Sequence, residues 1–347
     1  MLKLYTYRKL LTEANRKKVF PLLFDLCYVE NKSLQAYYQV VDAVEPCDII
    51  VVPIDFVSFC KYPKALSGLK AEAQKYRKPI WLYTAGDFGF TVNIPNSYNF
   101  RLGGFHSKLS VRTVMLPSFV NDPFVGVLKQ GFSVVSKKER PHIGFVGHAQ
   151  GGLFKYLKAY LNHLKQRLKL IFKMASFDKQ PFYPSGVKRA QYLNQLKSST
   201  RLHTHFVYRK AYRAGAKNQQ EIQKTTAEFY NNIFDNLYTF CVRGAGNFSV
   251  RFYETLAVGR IPILLDTDCR LPLSELIDWN KHVLVLHPKS PESLEQQIFR
   301  FHASKSASEL EAIQKSNRLL WETHLRRDSY FIKIHDIFTN KLKPTHV

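Results

Sequence analysis

The chain has few cysteines and no spacing that would link them. Its 347 residues include five cysteines, an odd number, at positions 27, 47, 60, 241 and 269. No Cys-x-x-Cys spacing occurs, so neither a disulfide framework nor a zinc ribbon is indicated. Unpaired thiols are typical of a reducing compartment. We therefore expect an intracellular, cytoplasmic protein.

Long apolar runs are also missing. Residues 1–18 lack the apolar core of a secretory signal peptide. No stretch approaches the ~18 consecutive apolar residues of a membrane-spanning helix. Low-complexity segments, internal repeats and the Walker A motif are absent from the sequence as well. We expect a folded, soluble protein. A peripheral contact with the inner face of a membrane is the one kind of membrane association that this leaves open.

Acidic residues are scarce relative to basic ones. The chain carries 51 Lys and Arg against 27 Asp and Glu, a formal net charge of +24. This excess favours an anionic partner, which could be nucleic acid, an anionic membrane or an acidic small molecule; a solvated basic surface is the plain alternative. Basic residues are spread over the whole chain and no RNP, KH or helix-turn-helix pattern occurs. Nucleic-acid binding is therefore an alternative and not our first prediction.

The chain alternates strand-like and helix-like runs, a pattern typical of α/β proteins with parallel sheets. Hydrophobic residues make up 45% of it, and its length favours two domains. The charged run at 136–140, followed by Pro141, predicts a linker between two α/β halves. We predict strands at 2–7, 48–54, 79–84 and 111–117 before the linker, and at 143–147, 202–208, 237–242, 261–266 and 282–286 after it.

Residues 153–171 predict an amphipathic helix. Apolar side chains recur there at helical spacing, and lysines occupy the opposite face. Such a helix can pack on a sheet or lie on an anionic membrane. We expect packing on the sheet, because the preceding strand and the Gly151–Gly152 pair already supply a strand–loop–helix unit.

The segment 237–266 reads as strand, glycine-rich turn, helix, glycine and strand. Ser249 is a suitable N-cap because its hydroxyl can accept a bond from a first-turn amide. Gly259 suits the left-handed residue that ends many helices. The helix is therefore predicted at 250–258. Its N-terminus, reached through Gly246 and Asn247, has the free amides of an anion site.

Three charged side chains surround this helix start. Arg243 and Arg251 add cationic donors to the anion site. Arg251 and Glu254 are three residues apart and share a helix face. A diphosphate at the helix start and a ribose farther along would meet Arg251 and Glu254 respectively. The alternative is a surface ion pair between the two, worth a few tenths of a kcal/mol.

Two other site types compete for the same segment. The run GAGNFS resembles a dinucleotide fingerprint with Asp266 about 20 residues farther on, although Ser249 replaces its last glycine. This would suit an NAD-binding nucleotide-sugar dehydrogenase or epimerase. Alternatively, Asp266-Thr267-Asp268 could hold a divalent metal that bridges a diphosphate. Short acidic triplets of this kind are common by chance.

Residues 240–286 closely resemble the signature region of exostosin-family glycosyltransferases, glycosyltransferase family 47. The resemblance rests on FCVRGAGNFSVRFYETLAVGRIPILLDTDCRLPLSELIDWNKHVLVL. Weaker likeness extends to RPHIGFVGHAQGG and FVYRKAYRAG (206–215). It implies an α/β, GT-B architecture of two Rossmann-like domains facing across a cleft. It also implies inverting transfer of a sugar from a nucleoside diphosphate, usually UDP, to a carbohydrate or lipid-linked glycan acceptor, with no metal or other cofactor.

The resemblance also implies a division of the chain and a set of site residues. We expect an acceptor-side domain at 1–138, a donor domain at 139–310, and helices at 311–347 packing back toward the N-terminal domain. The residues expected to contact the diphosphate are Arg243, Ser249 and Arg251, with Arg209 as a further candidate, and Glu254 is expected to contact the ribose.

Transfer with inversion needs a base that takes a proton from the acceptor hydroxyl. Asp87 is the first candidate, because it follows the predicted strand 79–84 in the glycine-flanked loop GDFG. Open α/β sheets place ligands at the carboxyl ends of their strands. A turn aspartate that caps its own loop is the alternative. Asp55 is the second candidate, and His106 and His148 follow.

Overall fold

The computed structural model describes residues 1–210, 215–216 and 218–342. The chain forms two compact units. Unit 1 comprises Met1–Leu116, Ser176–Asp178 and the chain from Arg326, and unit 2 comprises Pro117–Ala175 and Lys179–Leu325. Among the described residues, no helix is both long enough and apolar enough to cross a bilayer.

Unit 1 is built on a six-stranded parallel sheet with the strand order β2-β1-β3-β4-β5-β6. Its central strands are continuous apolar runs, as expected for strands covered on both faces. The strands are β1 Leu2–Thr6, β2 Tyr38–Val41, β3 Ile49–Val51, β4 Ile80–Thr84, β5 Ser97–Arg101 and β6 Thr113–Met115.

The helices of unit 1 cover this sheet, and the last of them closes its core. Trp81 on β4 lies 5.1 Å from the Phe100 ring and 4.7 Å from the Phe338 ring. The Tyr38 hydroxyl donates to the Phe331 carbonyl at 2.6 Å, which ties the edge strand to this helix. The helices are α1 Pro21–Phe24, α2 Lys32–Gln35, α3 Phe56–Phe59, α4 Pro63–Lys75 and, at the end of the chain, α11 Arg327–Leu342.

Unit 2 is built on a five-stranded parallel sheet with the strand order β11-β10-β9-β7-β8. Read from β8, the chain order within this unit is 2-1-3-4-5, so the winding direction reverses between β7 and β9. Sheets of this kind bind ligands outside the carboxyl ends of their strands at that reversal. The strands are β7 His142–His148, β8 His203–Arg209, β9 Tyr238–Cys241, β10 Ile261–Leu265 and β11 Leu284–Leu286.

The helices and strands of unit 2 share two hydrophobic clusters, a large core and a smaller cluster. The core contains Phe145, Leu193, Phe240 and Ile263. Leu128 joins Ile233, Phe234 and Val258 in a separate cluster. The helices are α5 Leu153–Ile171, α6 Ser185–Lys197, α7 Gln219–Asp235, α8 Val250–Val258, α9 Leu294–Ser304 and α10 Ala307–Leu320.

The predicted fold class is confirmed: two Rossmann-like α/β units, each with a parallel sheet. All nine predicted strands are present, with ends displaced by a few residues. Two strands of unit 1 were not predicted. The first, β2, is a short edge strand. The second, β5, carries the buried polar residues Ser97, Asn99 and Arg101, which disguise a buried strand.

The prediction that α5 packs on the sheet through its apolar positions is wrong. The helix has the predicted bounds, Leu153–Ile171, but none of its residues is buried. Leu153, Leu161 and Ile171 are 74%, 64% and 68% exposed. The sheet is covered instead by α6, whose Val187, Ala190, Leu193 and Leu196 are buried.

The boundaries of the two units differ from the predicted domains. The first boundary falls between Leu116 and Pro117 and not at the charged run near 138. The intervening segment packs with unit 2, where the Val135 amide donates to the Gln314 side chain. Of the predicted helices at 311–347, α11 belongs to unit 1, whereas the chain before Arg326 belongs to unit 2. Residues 343–347, and 211–214 of the run at 206–215, lie outside the described residues.

Candidate anion-binding site

Most of the predicted site residues lie at one place in unit 2, the carboxyl ends of β7, β8 and β9. The loop 242–249 leaves β9 and leads into α8. Since β7 and β9 are neighbours in the sheet, this loop opens beside the end of β7. The position is the winding reversal of the sheet, where a ligand crevice is expected.

The helix α8 has the predicted bounds, Val250–Val258, and Gly259 ends it with a left-handed φ of 74°. The predicted capping bond is wrong: Ser249 occupies the N-cap position, but its side chain makes no cap hydrogen bond. The backbone closes the turn instead, because the Phe252 amide donates to the Ser249 carbonyl at 3.2 Å. The Ser249 hydroxyl is therefore not committed to capping the helix.

Arg251 turns back from α8 toward the end of β7. Its Nη2 donates to the Val146 carbonyl at 2.7 Å, and its guanidinium lies 4.2 Å from the Phe145 ring centroid. A Cβ on Gly147 would lie 2.9 Å from Nη2, so a larger residue there would displace the Arg251 guanidinium. Burial lowers the pKa of Arg251, although an arginine stays charged at neutral pH. The hydrogen bond of Arg251 goes to Val146, which disfavours a simple surface pair with Glu254.

Glu254 lies one turn deeper on α8 and is half-buried. Burial, offset only in part by the charge of Arg251, raises the pKa of its carboxyl from 4.5 to about 7. The carboxyl therefore changes its charge near neutral pH. Buried, weakly partnered carboxyl groups of this kind are common at functional sites.

The loop between β9 and α8 is fixed by its own residues. Arg243 donates from Nη2 to the Ala245 carbonyl at 2.8 Å, and its guanidinium lies 4.6 Å from the Tyr183 ring centroid. Asn247 donates from Nδ2 to the Thr267 and Asp268 carbonyls and accepts from the Thr267 hydroxyl. Gly246 is buried beside it. Arg243 and Asn247 therefore hold the shape of the turn.

Two more arginines approach Arg251. Arg209, at the end of β8, donates to the Thr225 carbonyl at 2.6 Å and pairs with Glu228 at 2.7 Å. Arg189, on α6, donates to the His148 carbonyl at 2.6 Å. Burial, together with the charge of the nearby Arg251 cation, lowers the pKa of Arg189 to about 10. The charge of Arg209 likewise lowers the pKa of Arg251.

The sequence analysis missed Arg189 and Tyr183. Both precede the region whose pattern carried the prediction, and neither stands in a recognisable motif. A weak signal was available for Arg189: it adjoins Ala190 on a helix whose buried positions recur every third residue. Burial raises the pKa of Tyr183 to about 12, so its hydroxyl stays a hydrogen-bond donor.

Several buried polar atoms at these strand ends have no hydrogen-bond partner among the described residues. Buried polar groups are almost always paired, so such atoms call for an explanation. A bound anion that accepts from several donors would supply one. The donors are Nε of Arg189, Arg209 and Arg251 and the Tyr183 hydroxyl.

In the acidic triplet after β10, residues 266–268, the Asp266 carboxylate contacts other protein groups. Oδ1 of Asp266 accepts from the Asp268 amide at 2.9 Å, and Oδ2 lies 3.3 Å from Nδ1 of His287. Among the described residues, no group of three or more His, Cys, Asp or Glu side chains is placed to hold a metal.

The predicted base, Asp87, lies in unit 1. It follows β4 and is exposed, in a loop whose neighbours are held in place. Arg101 donates to the Phe88 carbonyl at 2.6 Å, and the Asp178 amide donates to the Gly89 carbonyl at 2.9 Å. Asp55, the second candidate, is a structural cap: its oxygens accept from the Ser58 and Ala85 amides. His106 lies in a short 3₁₀ turn of unit 1, and His148 ends β7.

The region of this site is similar in sequence to known proteins. The Exostosin GT47 domain family model matches residues 170–299, which contain every arginine described above except Arg101 of unit 1. An exostosin-1 homolog from Caenorhabditis elegans is 32% identical over 99 residues, which cover 28% of this chain and 25% of that protein. Exostosin-like 1 from Homo sapiens is 30% identical over 93 residues, 27% of this chain and 12% of that protein. The chain thus matches a quarter or less of these relatives' length.

Among solved structures, a glycosyltransferase from Rickettsia africae ESF-5 covers 99% of both chains at 13% identity, with a TM-score of 0.39. The sequence match is to residues 170–299, and the signature predicted between 240 and 286 lies inside it.

Proposed function

We propose that this protein is a glycosyltransferase that moves a sugar from a nucleoside diphosphate, with UDP the first candidate, to a carbohydrate or lipid-linked glycan acceptor. The observation that carries the proposal is the group of arginines at the winding reversal of unit 2, Arg189, Arg209 and Arg251. Their Nε atoms are buried and have no hydrogen-bond partner among the described residues. Arginine binds phosphate oxygens through paired N–H donors. The exostosin GT47 domain over the same residues supports the same conclusion.

In the proposed complex the diphosphate lies at the start of α8. Arg251, Arg189 and Arg209 donate to its oxygens, together with the first-turn amides and the Ser249 hydroxyl. The Arg243 guanidinium lies beside them. Glu254 accepts from the hydroxyls of the ribose one turn deeper. Sugar transfer leaves extra negative charge on the diphosphate, and fixed cationic donors in a partly buried site stabilise that charge without reorganising. No metal is required by this scheme.

In the proposed reaction an acceptor hydroxyl attacks the anomeric carbon opposite the departing diphosphate, which inverts that centre. The C–O bond to the diphosphate breaks as the new glycosidic bond forms. Asp87 is our candidate for the base that takes the hydroxyl proton, because it is an exposed carboxylate on a loop fixed by Arg101. Asp87→Asn should lower kcat across the pH range while leaving nucleotide affinity unchanged.

The test is a panel of UDP, GDP and dTDP in a thermal-shift assay, with and without EDTA, followed by hydrolysis of the matching nucleotide sugars. We expect one diphosphate to raise Tm and Arg251→Ala to abolish that rise. Insensitivity to EDTA would support the metal-free scheme. If all three nucleotides leave Tm unchanged, or if Arg251→Ala responds as the native protein does, the proposal fails.

A further inference from the structure

The helix α5 presents an apolar face that no described residue of unit 2 covers. Between Leu153 and Phe172 the side chains at helical spacing that would form a core are exposed. They are Leu153, Phe154, Leu157, Leu161, Leu164, Leu168, Ile171 and Phe172. Monomeric proteins rarely leave so large a contiguous apolar surface uncovered, and such surfaces mark interaction sites. Only the last two residues of α5, 170 and 171, lie within the exostosin GT47 match. That resemblance therefore gives the helix no role.

One edge of α5 is attached to the unit. The rings of Tyr156, Tyr160 and His163 lie 5.3, 5.5 and 5.5 Å from the ring of Phe182. Because these contacts use the flank of the helix, they leave the leucine face turned away. The helix is therefore held in place with its apolar side outward.

The charges beside this face identify what can cover it. Residues 153–177 contain six Lys and Arg and no Asp or Glu. They are Lys155, Lys158, Lys165, Arg167, Lys169 and Lys173. A second copy of the chain would bring two all-basic rims together, and like charges oppose such contacts. An anionic lipid surface offers both the opposite charge and an apolar layer.

We propose that α5 is a membrane-docking helix that lies in the interface of an anionic bilayer with its leucine face in the acyl layer. Interfacial helices have this combination of an apolar face, a basic face and low overall hydrophobicity. The lysine stems can follow the apolar surface while the ammonium groups reach lipid phosphates. This proposal does not depend on the enzymatic activity proposed above.

Vesicle flotation tests the proposal with the full chain. Vesicles of phosphatidylcholine alone are compared with vesicles that contain equal parts phosphatidylcholine and phosphatidylglycerol. We expect binding to the anionic vesicles only, and weaker binding as the salt concentration rises. Equal binding to both vesicle types, or no binding to the anionic ones, would overturn it.

Two variants separate the apolar and the charged contributions. Leu157→Gln with Leu161→Gln removes apolar area from exposed positions, at little expected loss of stability. Lys158→Glu, Lys165→Glu and Lys169→Glu together reverse the basic side. Its matched control reverses three exposed lysines elsewhere in unit 2, Lys224, Lys289 and Lys315, and so carries the same net charge. We expect each α5 variant to bind at least about tenfold more weakly, and the control to bind much as the native protein does.

Circular dichroism confirms that each variant is folded. If the control loses binding as fully as the α5 charge variant, overall charge and not α5 is responsible. If native protein sediments as a dimer and the Leu157/Leu161 variant as a monomer, a second copy covers the face. Either result rejects the proposal.

A tryptophan reporter tests the depth of the helix. The native residues Trp81, Trp279 and Trp321 are buried, so their emission should change little on binding. In Leu161→Trp, we expect a blue shift on anionic vesicles and quenching by lipids brominated on the acyl chain. Emission that stays water-like while the protein floats with the vesicles would rule out insertion of this face.

Discussion

Buried arginines in unit 1 and unit 2 differ in how fully their guanidinium nitrogens are used. Arg101, at the end of β5 in unit 1, donates from Nε to the Gly103 carbonyl, from Nη2 to the Phe88 carbonyl and from Nη1 to Asp178, at 2.6, 2.6 and 2.7 Å. Arg251 in unit 2 donates to one carbonyl, and its Nε has no partner among the described residues. The first pattern is that of a structural arginine, and the second leaves donors for a ligand.

Unit 2 contains its own example of the structural kind. Arg260 is fully buried, and its three nitrogens donate to the carbonyls of Phe234, Ser133 and Gly259. The contrast is therefore one of position and not of unit. Arg101 and Arg260, away from the winding reversal, have all three guanidinium nitrogens hydrogen-bonded. Arg189 and Arg251, at the reversal, each have an Nε without a partner among the described residues.

Replacing Arg101 should have the largest effect, and that effect should be confined to stability. Arg101→Gln removes the donor to the Gly103 and Phe88 carbonyls and breaks the ion pair with Asp178. Losing one partner of a buried ion pair costs about 3–5 kcal/mol. Hydrogen exchange, resolved to peptides from β4 and β5, measures the loss within unit 1. Nucleotide affinity should be unchanged wherever the protein is folded. If Arg101→Gln weakened nucleotide binding while hydrogen exchange in β4 and β5 stayed normal, Arg101 would not be the structural arginine that its bonding indicates.

Replacing Arg251 should have a comparable effect on turnover. Removing one donor to a developing anionic charge typically raises the barrier by about 3–4 kcal/mol. We therefore expect Arg251→Ala to reduce kcat/KM by roughly two to three orders of magnitude while the protein stays folded. Rates are measured on the preferred nucleotide sugar.

A matched pair sharpens this result. Arg251→Lys and Arg260→Lys each keep the charge and lose the planar donor set. We expect the Arg251 variant to lose turnover with little change in Tm, and the Arg260 variant to lose Tm with normal turnover per folded molecule. The same response in both variants would show that partial bonding does not mark function.

Glu254 should make the stability of the protein depend on pH. Its carboxyl has a pKa of about 7 in the folded chain against an ordinary value of 4.5, so the folded state holds the proton more tightly. Below pH 4.5 both states are protonated. Between these values the unfolded state ionises first and stability falls as pH rises, by roughly 3 kcal/mol in all.

Glu254→Gln removes this dependence. Urea unfolding should show the variant to be more stable than the native protein at pH 8, with most of the difference gone at pH 5. A difference of equal size at both pH values would mean that the Glu254 carboxyl is not desolvated in the way its burial indicates.

Local rules predicted part of the site well. The bounds of α8 follow from Ser249 and Gly259, which occupy the two cap positions, and the three-residue spacing placed Arg251 and Glu254 on one side of the helix. The strands β10 and β11 of unit 2 are continuous apolar runs and could be located for the same reason. In these cases the signal lies within a few residues of the feature it specifies.

Long-range contacts could not be predicted in this way. Arg189 reaches the site because α6 packs across the end of β7, and no local pattern encodes that contact. The strand β5 is buried although it is polar, because Arg101 donates a hydrogen bond to Asp178, which lies 77 residues farther along the chain. The exposure of α5 was missed because an amphipathic pattern shows that one face is apolar but not what covers it.

Ser249 gives the smallest and most selective expected effect. An N-cap serine that bonds the first turn contributes about 1 kcal/mol to stability. Here the hydroxyl makes no such bond, so Ser249→Ala should change the free energy of unfolding by less than about 0.5 kcal/mol. If the hydroxyl instead donates to a diphosphate, nucleotide affinity should fall several-fold in the same variant. Ser249→Thr, which keeps the hydroxyl, is the control and should retain the affinity. A loss of stability without loss of affinity would return Ser249 to the capping role and leave the anion site to the arginines and the backbone.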